Sequence, residues 1–273
     1  MARPLPVLLA PRRRTTPQGW VGGSLALTVA ALAIALLAHE ARAAPSEPGL
    51  LALIWKWTPL MFSGFLFNLL ISVLAMAIGT AAGLGLGLGQ ISPVPALRRA
   101  AWLVTQFFRN APWLVLLFYC ILLIPFEVSL FGARVPFPAW IKAVIGLALP
   151  VMANVAEIVR GAVQSIPTGQ WEAAESLAFS RRQVIWMIIL PQCVKRMLPP
   201  WMNLYAILTM ATPLVSIVGV QEAMTLTRAA LSAEGRVDLL IPMYLWLLSW
   251  FFVYCYPISR ATVRLERRFA VET

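Results

Sequence analysis

Charged residues are scarce in this chain, and so are the side chains that most enzymes use. Of its 273 residues, 12% are charged, where a soluble globular domain has about a quarter. There is one histidine, and the three cysteines, Cys120, Cys193 and Cys255, have unrelated spacings. They fit neither a disulfide framework nor a zinc site. No Ser/His/Asp set, carboxylate pair or phosphate loop is evident, so the sequence predicts neither an enzyme nor a bound cofactor or metal.

Apolar residues are what the chain has in excess, at 60% of the sequence, with a mean hydropathy of +0.79. They fall in long blocks, so lipid is the expected solvent for much of the surface. After residue 50, five blocks are long enough to span a bilayer: Leu60 to Leu88, Ala101 to Pro125, Ala139 to Val159, Trp201 to Val220 and Leu240 to Ser259.

A further apolar block runs from Trp20 to Ala38. We interpret it as a retained membrane anchor, with a cleaved signal peptide as the alternative, because small residues follow at Ala41 to Ala44. Residues 1–50 are therefore assigned as a basic tail plus an extra span. Residues 51–273 are assigned as the main transmembrane domain.

Basic residues outnumber acidic ones by 22 to 11 and cluster in alternate connections between the blocks. The positive-inside rule then predicts about six spans with both termini in the cytoplasm. The expected fold is an all-α polytopic helix bundle in the bilayer of a bacterial cytoplasmic (inner) membrane. Nucleic-acid binding is not expected, since no basic run is interleaved with aromatics on a polar face. The clusters are Arg12 to Arg14, Arg98-Arg99, Arg160, Arg181-Arg182, Lys195-Arg196 and the arginines after Ser259.

Small residues recur every four positions in the first of the five blocks. One set is Ala75, Gly79, Gly83 and Gly87, and a second is Ala81, Gly85 and Gly89. Small faces of this kind let other helices approach closely.

The longest polar interruption runs from Glu157 to Asn203. Pro167 is expected to fix a turn, after which Thr168 or Gly169 caps a short amphipathic helix that reaches Ala178. Its predicted apolar face holds Trp171, Ala174 and Leu177 or Ala178, and its polar face holds Glu172, which is placed in the first turn, Glu175 and Ser176.

A second helix is predicted from Arg181 to Leu190. Ser180 and Gln183 form the capping box that starts it, and Pro191 and Pro199-Pro200 are expected to stop it. The loop is thus predicted to be a helix–turn–helix at the cytoplasmic face. Its acidic helix either docks on a cytoplasmic partner or rests on lipid headgroups. The acids favour docking, because membrane-surface helices usually present Lys and Arg.

The segment "EAAESLAF", with "RGAVQSIPTGQW" before it and "ILPQ" and "LPPWMN" after it, resembles the EAA loop of ABC-importer permease subunits. The resemblance is strongest to the polar amino-acid, histidine/glutamine permease type. It extends to "FRNAPWLVLLFY" and "PLVSIVGVQEAM" and covers roughly Trp57 to Arg268. The first 50 or so residues carry no part of it.

The resemblance implies a non-catalytic subunit that forms the translocation path of an importer. Two ATPase subunits, which bind the ATP, a second permease that is identical or paralogous, and an extracytoplasmic solute-binding protein would be its partners. The helix from Gly169 to Ala178 would be the coupling helix seated in the ATPase. Residues implied in this coupling are Arg160, Gly169, Gln170, Trp171, Glu172, Ala173, Ala174, Ser176, Leu177 and Ala178.

Two departures from the family pattern stand out. The family usually has glycine where this chain has Ala178, so the turn is expected at Phe179-Ser180 instead. Related permeases tend to have Lys-Asp-Thr-Ser-Leu where this chain has Met210-Ala211-Thr212-Pro213-Leu214. The second departure leaves the substrate preference open.

Polar residues within the spans are candidates for the substrate path, since they are costly in lipid. They are Arg109, Asn154, Asn203, Thr209 and Thr212. A satisfied structural hydrogen bond is the alternative for the last four, and an interfacial position is the alternative for Arg109. An ion-gradient-driven secondary transporter is the alternative function, although the inverted repeats typical of that class are not evident.

Overall fold

The computed structural model describes residues 49–130 and 133–269. The predicted span from Trp20 to Ala38 and the basic tail before it lie outside the described residues. The chain divides into two units at Leu53, and the contacts below all belong to the second unit, from Ile54 onwards. The helices are α1 Leu50–Gln90, α2 Pro95–Asn110, α3 Trp113–Leu123, α4 Ala139–Gln164, α5 Thr168–Ser176, α6 Arg181–Gln183, α7 Leu190–Ala211, α8 Ala223–Glu234 and α9 Leu240–Phe269.

Four helical segments of the described chain are long and apolar enough to cross a membrane: Leu50–Gln90, Ala139–Gln164, Arg181–Val218 and Val237–Phe269. The pair α2 and α3, bent by 104° at its break, makes a fifth if it counts as one span. Each of these overlaps one of the five apolar blocks predicted after residue 50. The helical membrane fold is therefore confirmed, while the total of six spans and the side of each terminus stay predictions.

A small hairpin occupies the connection that the sequence marked only as a loop, between Phe126 and Pro138. Strands β1 Glu127–Leu130 and β2 Ala133–Pro136 pair antiparallel, with Glu127 opposite Pro136. The Phe137 amide donates to the Phe126 carbonyl at 2.7 Å just beyond the strands. Cross-strand hydrogen bonds satisfy the backbone of this connection where a loop would leave it to water.

α1 packs against α4 through the first of its two predicted small faces. A Cβ added at Gly79, Gly83 or Gly87 would come within 2.5–2.7 Å of the Val151, Val155 or Val159 side chains or of an α4 carbonyl oxygen. The second face is confirmed only in part: a Cβ added at Gly85 would meet nothing within 4 Å, while one added at Gly89 would lie 3.1 Å from the Ala101 methyl.

The second helix of the polar loop was predicted to stop at Pro191, and this prediction is wrong. The helix continues to Val218. Six residues of π-helix, Val184–Ile189, lead into α7, and Thr212–Val218 continue it as a 3-10 helix. Pro191 lies in the first turn of α7, directly after the wider π turns. Proline interrupts the regular hydrogen-bond ladder of a helix, and the change from π to α pattern falls directly before this one. Pro199 and Pro200 lie inside α7, where membrane helices accept proline more readily.

On the predicted outside, the connection from Gln221 to Leu239 is largely helical. α8 begins after Glu222, whose side chain accepts a hydrogen bond from the Thr225 amide at 2.9 Å. At its other end, Glu234 accepts hydrogen bonds from Lys56 Nζ and Trp57 Nε1, each at 2.7 Å. α8 is therefore fastened to α1 at its C-terminal end.

Candidate functional site

The candidate coupling helix α5 begins at Thr168, with Pro167 in the N-cap position and no side-chain cap. The predicted cap by Thr168 or Gly169 is therefore wrong, because both residues are already helical. Glu172, which was predicted to lie in the first turn, consequently falls beyond it. The capping box of the next helix is present as predicted: the Ser180 amide donates to Gln183 Oε1 at 2.8 Å, and the Gln183 amide donates to Ser180 Oγ at 3.4 Å.

The buried side of α5 rests on a small apolar cluster of the same loop. Ala174 is 3% exposed and packs with Ile166, Val184 and Ile189, while Trp171 lies partly buried against them. The predicted apolar face is wrong at its last position, because Leu177 is 73% exposed and Ala178, the alternative, is exposed as well. Phe179 packs against the cluster in its place.

The way in which α5 ends explains why Phe179, and not Leu177, packs against the cluster. Ala178 has φ 57°, the left-handed region, so the turn lies at Ala178 and not at Phe179-Ser180 as expected. The Phe179 amide donates to the Ala174 carbonyl at 3.3 Å, and the Ala178 amide donates to the Glu175 carbonyl at 2.9 Å. These two bonds form a Schellman motif, which is usually accompanied by an apolar contact between the same two positions, here Phe179 and Ala174.

The other side of α5 is open to solvent. Gly169, Glu172, Ala173, Glu175 and Ser176 are all exposed. Glu172 and Glu175 thus flank a patch with little side-chain bulk. The Ser176 hydroxyl bonds to the Glu172 carbonyl at 2.9 Å and so belongs to the helix itself. Gln170 is half-buried, and its Oε1 is one of two buried side-chain polar atoms without a hydrogen-bond partner in the described chain.

Arg160 does not lie on α5 but on α4. Its Nε and Nη2 donate to the two carboxylate oxygens of Glu157 at 3.2 and 2.7 Å, and its Nη1 donates to Gln164 at 2.8 Å. Arg196 of α7, which the sequence analysis missed, donates to the Ser165 carbonyl and hydroxyl at 2.7 and 2.8 Å. Basic side chains often bond to the last carbonyls of a helix, and the Lys195-Arg196 pair could have suggested such a contact. Together these bonds fix the end of α4 just before α5.

A cavity of about 530 Å³, with charged and amide side chains among its lining residues, lies between the C-terminal half of α4 and α7. It brings together three of the five predicted path residues: Arg109, Asn154 and Asn203. Glu157, Ser165 and Arg196 also line it. Arg109 Nη1 lies 3.3 Å from Glu157 Oε2, so an ion pair joins the end of α2 to α4 at the cavity wall.

Thr209 and Thr212 do not line this cavity. Both are fully buried, and their hydroxyls donate to the carbonyls of Tyr205 and Thr209 at 2.9 and 2.8 Å. Thr212 also accepts a hydrogen bond from Asn68 Nδ2 at 3.0 Å. Their surroundings are those of satisfied structural hydroxyls.

A second, largely apolar cavity of about 510 Å³ lies between α7 and α9. It borders the segment from Met210 to Pro213, in which this chain departs from the family pattern. Met210 and Pro213 line it with Met224 and Phe251, and Asn203 lines both cavities. Within the described residues, no group of three His, Cys, Asp or Glu side chains could hold a metal ion.

Apolar spans beside a cavity with charged and amide side chains in its lining, and an exposed acidic helix in the loop between two of the spans, point to a subunit of a membrane transport system. A comparison with family profiles matches residues 78–271 to the family described as "binding-protein-dependent transport system inner membrane component". The chain belongs to this family, and it is a multi-pass protein of the bacterial inner membrane.

Curated relatives agree with this family. The chain is 34% identical over 212 residues to a probable amino-acid ABC transporter permease protein, YckA, of Bacillus subtilis (strain 168), covering 78% of this chain and 90% of that protein. It is 29% identical to the inner membrane amino-acid ABC transporter permease protein YhdY of Escherichia coli (strain K12), covering 90% of this chain and 71% of that protein.

Solved structures agree on the fold. A crystal structure of an amino acid ABC transporter with histidines matches with a TM-score of 0.68 and 28% identity, covering 78% of this chain and 96% of that chain. An inward-facing MetNI methionine ABC transporter matches with a TM-score of 0.60 at 20% identity, covering 77% and 95%. Neither the fold nor these relatives support the alternative of an ion-gradient-driven transporter.

Proposed function

We propose that this chain is the translocating subunit of an ATP-driven amino-acid importer and that α5 is its coupling helix. The observation that carries the proposal is the rigid attachment of an exposed acidic helix. α5 is held by the apolar cluster under Ala174 and by the Schellman motif at Ala178, while Glu172 and Ala173 stay free to meet another protein.

The partners follow from this arrangement and from the family. Two ATPase subunits would bind ATP, and each would seat one coupling helix. A second permease, identical or paralogous, would complete the path, and an extracytoplasmic solute-binding protein would deliver the cargo. This chain then needs no cofactor of its own. When ATP closes the ATPase pair, the seated helices move as rigid bodies with the spans to which they are fixed.

Glu172 is the residue to test for docking. In Glu172→Arg, a like charge would meet the basic residue that we expect in the ATPase groove. The measurement is co-purification of the ATPase subunit and the ATPase activity stimulated by the loaded binding protein. Glu266→Arg is the matched control, because Glu266 is also an exposed acid and lies on α9. If Glu172→Arg assembles and hydrolyses ATP like the control, α5 is not the coupling helix.

The cavity between α4 and α7 would be part of the substrate path. Side chains of both charge signs line it, with Arg109 and Arg196 opposite in sign to Glu157. A zwitterion such as a polar amino acid presents a carboxylate and an ammonium group, so the cavity suits an amino acid or a close relative better than a uniformly charged ion. Which amino acid is carried would depend largely on the binding protein.

Asn154 and Asn203 are the residues to test for the path. Asn154→Leu and Asn203→Leu should each lower uptake in reconstituted vesicles while the ATPase subunit still co-purifies. Thr209→Val is the control, because Thr209 is fully buried outside the cavity. We expect Thr209→Val to lower thermal stability without a selective loss of uptake. Unchanged uptake in both asparagine variants would place the path elsewhere.

A further inference from the structure

Glu157 of α4 forms ion pairs with two arginines, and the two pairs are unequal. Arg160, about one turn later on the same helix, donates to both carboxylate oxygens, at 3.2 and 2.7 Å. Arg109, in the last turn of α2, makes a single contact, with its Nη1 3.3 Å from Glu157 Oε2. The pair that joins two helices is therefore the weaker of the two.

The ion pair between α2 and α4 can open at little cost. Breaking a buried ion pair is usually expensive, because one charge is left buried without a partner. Here Glu157, whose side chain is 12% exposed, would keep both of its bonds to Arg160. The side chain of Arg109 is 45% exposed, so its charge can be solvated, and exposed pairs contribute little to stability. The contact thus joins the two helices without locking them together.

A second acceptor for Arg109 lies at the end of α1. Gln90 is buried, and its Nε2 donates to Thr105 Oγ1 at 2.8 Å. Its Oε1 has no hydrogen-bond partner among the described residues, which is unfavourable for a buried carbonyl oxygen. Thr105 and Arg109 are four residues apart, so they lie on the same side of α2 with a rise of about 6 Å between them. An arginine side chain that leaves Glu157 can therefore turn back towards Gln90.

The pair between Arg109 and Glu157 lies between the candidate coupling helix and the cavity. Glu157 stands about two turns before the end of α4, and residues 165–167 lead from there to α5. At the same end of α4, Arg196 of α7 holds Ser165 by two hydrogen bonds. Both Arg109 and Glu157 line the cavity between α4 and α7. A displacement of α5 that carries the end of α4 with it would therefore pull directly on this pair, at the wall of the cavity.

We propose that Arg109 is a positioning residue that couples the movement of α5 to the cavity by exchanging Glu157 for Gln90. This inference rests on the proposed function of α5 as the coupling helix. While Arg109 holds Glu157, α2 is tied to α4 at the cavity wall. When the end of α4 moves with α5, Arg109 turns to Gln90 Oε1 and α4 is released from α2. Arg160 keeps Glu157 paired in both arrangements, so the exchange leaves no buried charge alone.

The test uses the complex of the permease with its ATPase subunit, reconstituted with and without the loaded binding protein. In Arg109→Gln the tie between α2 and α4 is lost, so ATP hydrolysis without the binding protein should rise by about two- to fivefold. Hydrolysis with the loaded binding protein should change little, so the stimulation ratio falls. Arg109→Lys keeps a cation for the single contact and should recover most of that ratio. Arg99→Gln is the matched control, because Arg99 is an exposed arginine of the same helix without an ion pair to another described residue.

Salt separates this role from a merely structural one. A half-exposed ion pair is screened by salt, so hydrolysis by the wild type without binding protein should rise with ionic strength. Arg109→Gln has no pair to screen and should rise less, while Arg99→Gln should follow the wild type. If loss of packing were the only effect of Arg109→Gln, the two slopes would be equal.

Gln90→Glu tests the second acceptor. The new carboxylate would compete with Glu157 for Arg109, so this variant should also raise hydrolysis without the binding protein. Its effect should vanish in the double variant with Arg109→Gln, since no guanidinium is left to attract. Co-purification of the ATPase subunit and the thermal midpoint check that each variant assembles and folds. Because Gln90→Glu leaves Arg109 in place, the absence of a rise still counts against the proposal if Arg109→Gln does not assemble.

The outcomes separate this inference from the proposed function. Wild-type rates of hydrolysis in Arg109→Gln would overturn the coupling role of Arg109 while the proposed function stands. Reduced uptake at an unchanged rate of hydrolysis would overturn it too, because Arg109 would then contact the cargo. An effect of Gln90→Glu that persists without Arg109 would overturn the exchange of acceptors. A wild-type complex that the loaded binding protein does not stimulate would instead overturn the proposed function, and this inference with it.

Discussion

The amide of Asn68 donates to the carboxylate of Glu222 at 2.9 Å, although 154 positions separate them in the sequence. Both side chains are fully buried. The same Asn68 amide group donates to Thr212 at 3.0 Å, and its oxygen accepts from the Ala223 amide at 3.1 Å. One turn earlier, the absence of a side chain at Gly64 lets α1 approach, since a Cβ there would lie 2.6 Å from the Ala223 nitrogen. One asparagine thus joins α1, the end of the span Arg181–Val218 and the start of α8.

Replacing Asn68 by alanine should destabilise this joint. The Ala223 amide and one Glu222 oxygen would lose a buried partner, at a cost of about 1–3 kcal/mol for each unsatisfied group. The lower end of that range is expected where the bonds lie at membrane depth. The measurement is the thermal unfolding midpoint in detergent. Asn110→Ala is the control, because Asn110 is exposed and bonds only within its own helix. Equal midpoints for the two variants would contradict the role of the joint.

Two glycines on α1 offer a matched pair. Gly83→Ala should lower stability, because the new methyl would lie 2.6 Å from both the Met152 carbonyl oxygen and Val155 Cβ, which would force α1 and α4 apart. Gly85→Ala should be neutral or raise stability by up to about 1 kcal/mol, since it meets open space and alanine favours helix. Thermal midpoints of the two variants should therefore move in different directions. A loss of similar size in both would mean that helix packing does not decide the effect.

The C-terminal end of α8 predicts a pH dependence. Hydrogen bonds from Lys56 and Trp57 to Glu234 hold the pKa of this carboxyl below its usual range. A lowered folded-state pKa means that the stabilisation is complete above the ordinary carboxyl pKa of about 4.3. It is lost as the pH falls through the lowered folded value. The thermal midpoints of wild type and Glu234→Gln should therefore differ at pH 7 and converge as the pH falls below about 4.

The control for this experiment is Glu127→Gln. Glu127 is exposed, and its ion pair with Arg134 is stretched to 4.0 Å, so its midpoint should track the wild type at every pH. A gap between wild type and Glu234→Gln that stays constant down to pH 3 would show that Glu234 acts only through packing.

Composition and spacing were enough to predict the membrane fold, because long apolar blocks have few alternatives to crossing a bilayer. The face of α1 that packs closely against α4 could likewise be predicted, from Gly79, Gly83 and Gly87. The role of Glu222 could not be predicted. In the sequence it is one acid in a polar connection, and only the contact with the distant Asn68 shows that it is a buried helix cap. Interactions between residues so far apart leave no local pattern.

The errors in the polar loop also have local causes. Helical spacing placed Leu177 with Trp171 and Ala174, and this holds only while the helix continues. α5 ends at Ser176, so the next apolar residue to reach the cluster is Phe179. Pro191 was expected to end a helix, which assumes an ordinary α-helical hydrogen-bond pattern. The π turns before it remove that assumption.

Ala178 yields the last prediction, because it is the one described non-glycine residue with a positive φ, 57°. An L-residue in this region is strained by about 1–2 kcal/mol, while glycine adds about 0.5–1 kcal/mol of unfolded-state entropy. Ala178→Gly should therefore stabilise the end of α5 by about 0.5–1 kcal/mol and slow amide exchange there about two- to fivefold. Ala173→Gly, the same substitution inside the helix, should speed exchange, since glycine costs about 1 kcal/mol there. Hydrogen exchange read by mass spectrometry over residues 168–180 measures both. Faster exchange in Ala178→Gly would mean that the turn at the end of α5 does not have the left-handed conformation on which the rigid attachment of this helix depends.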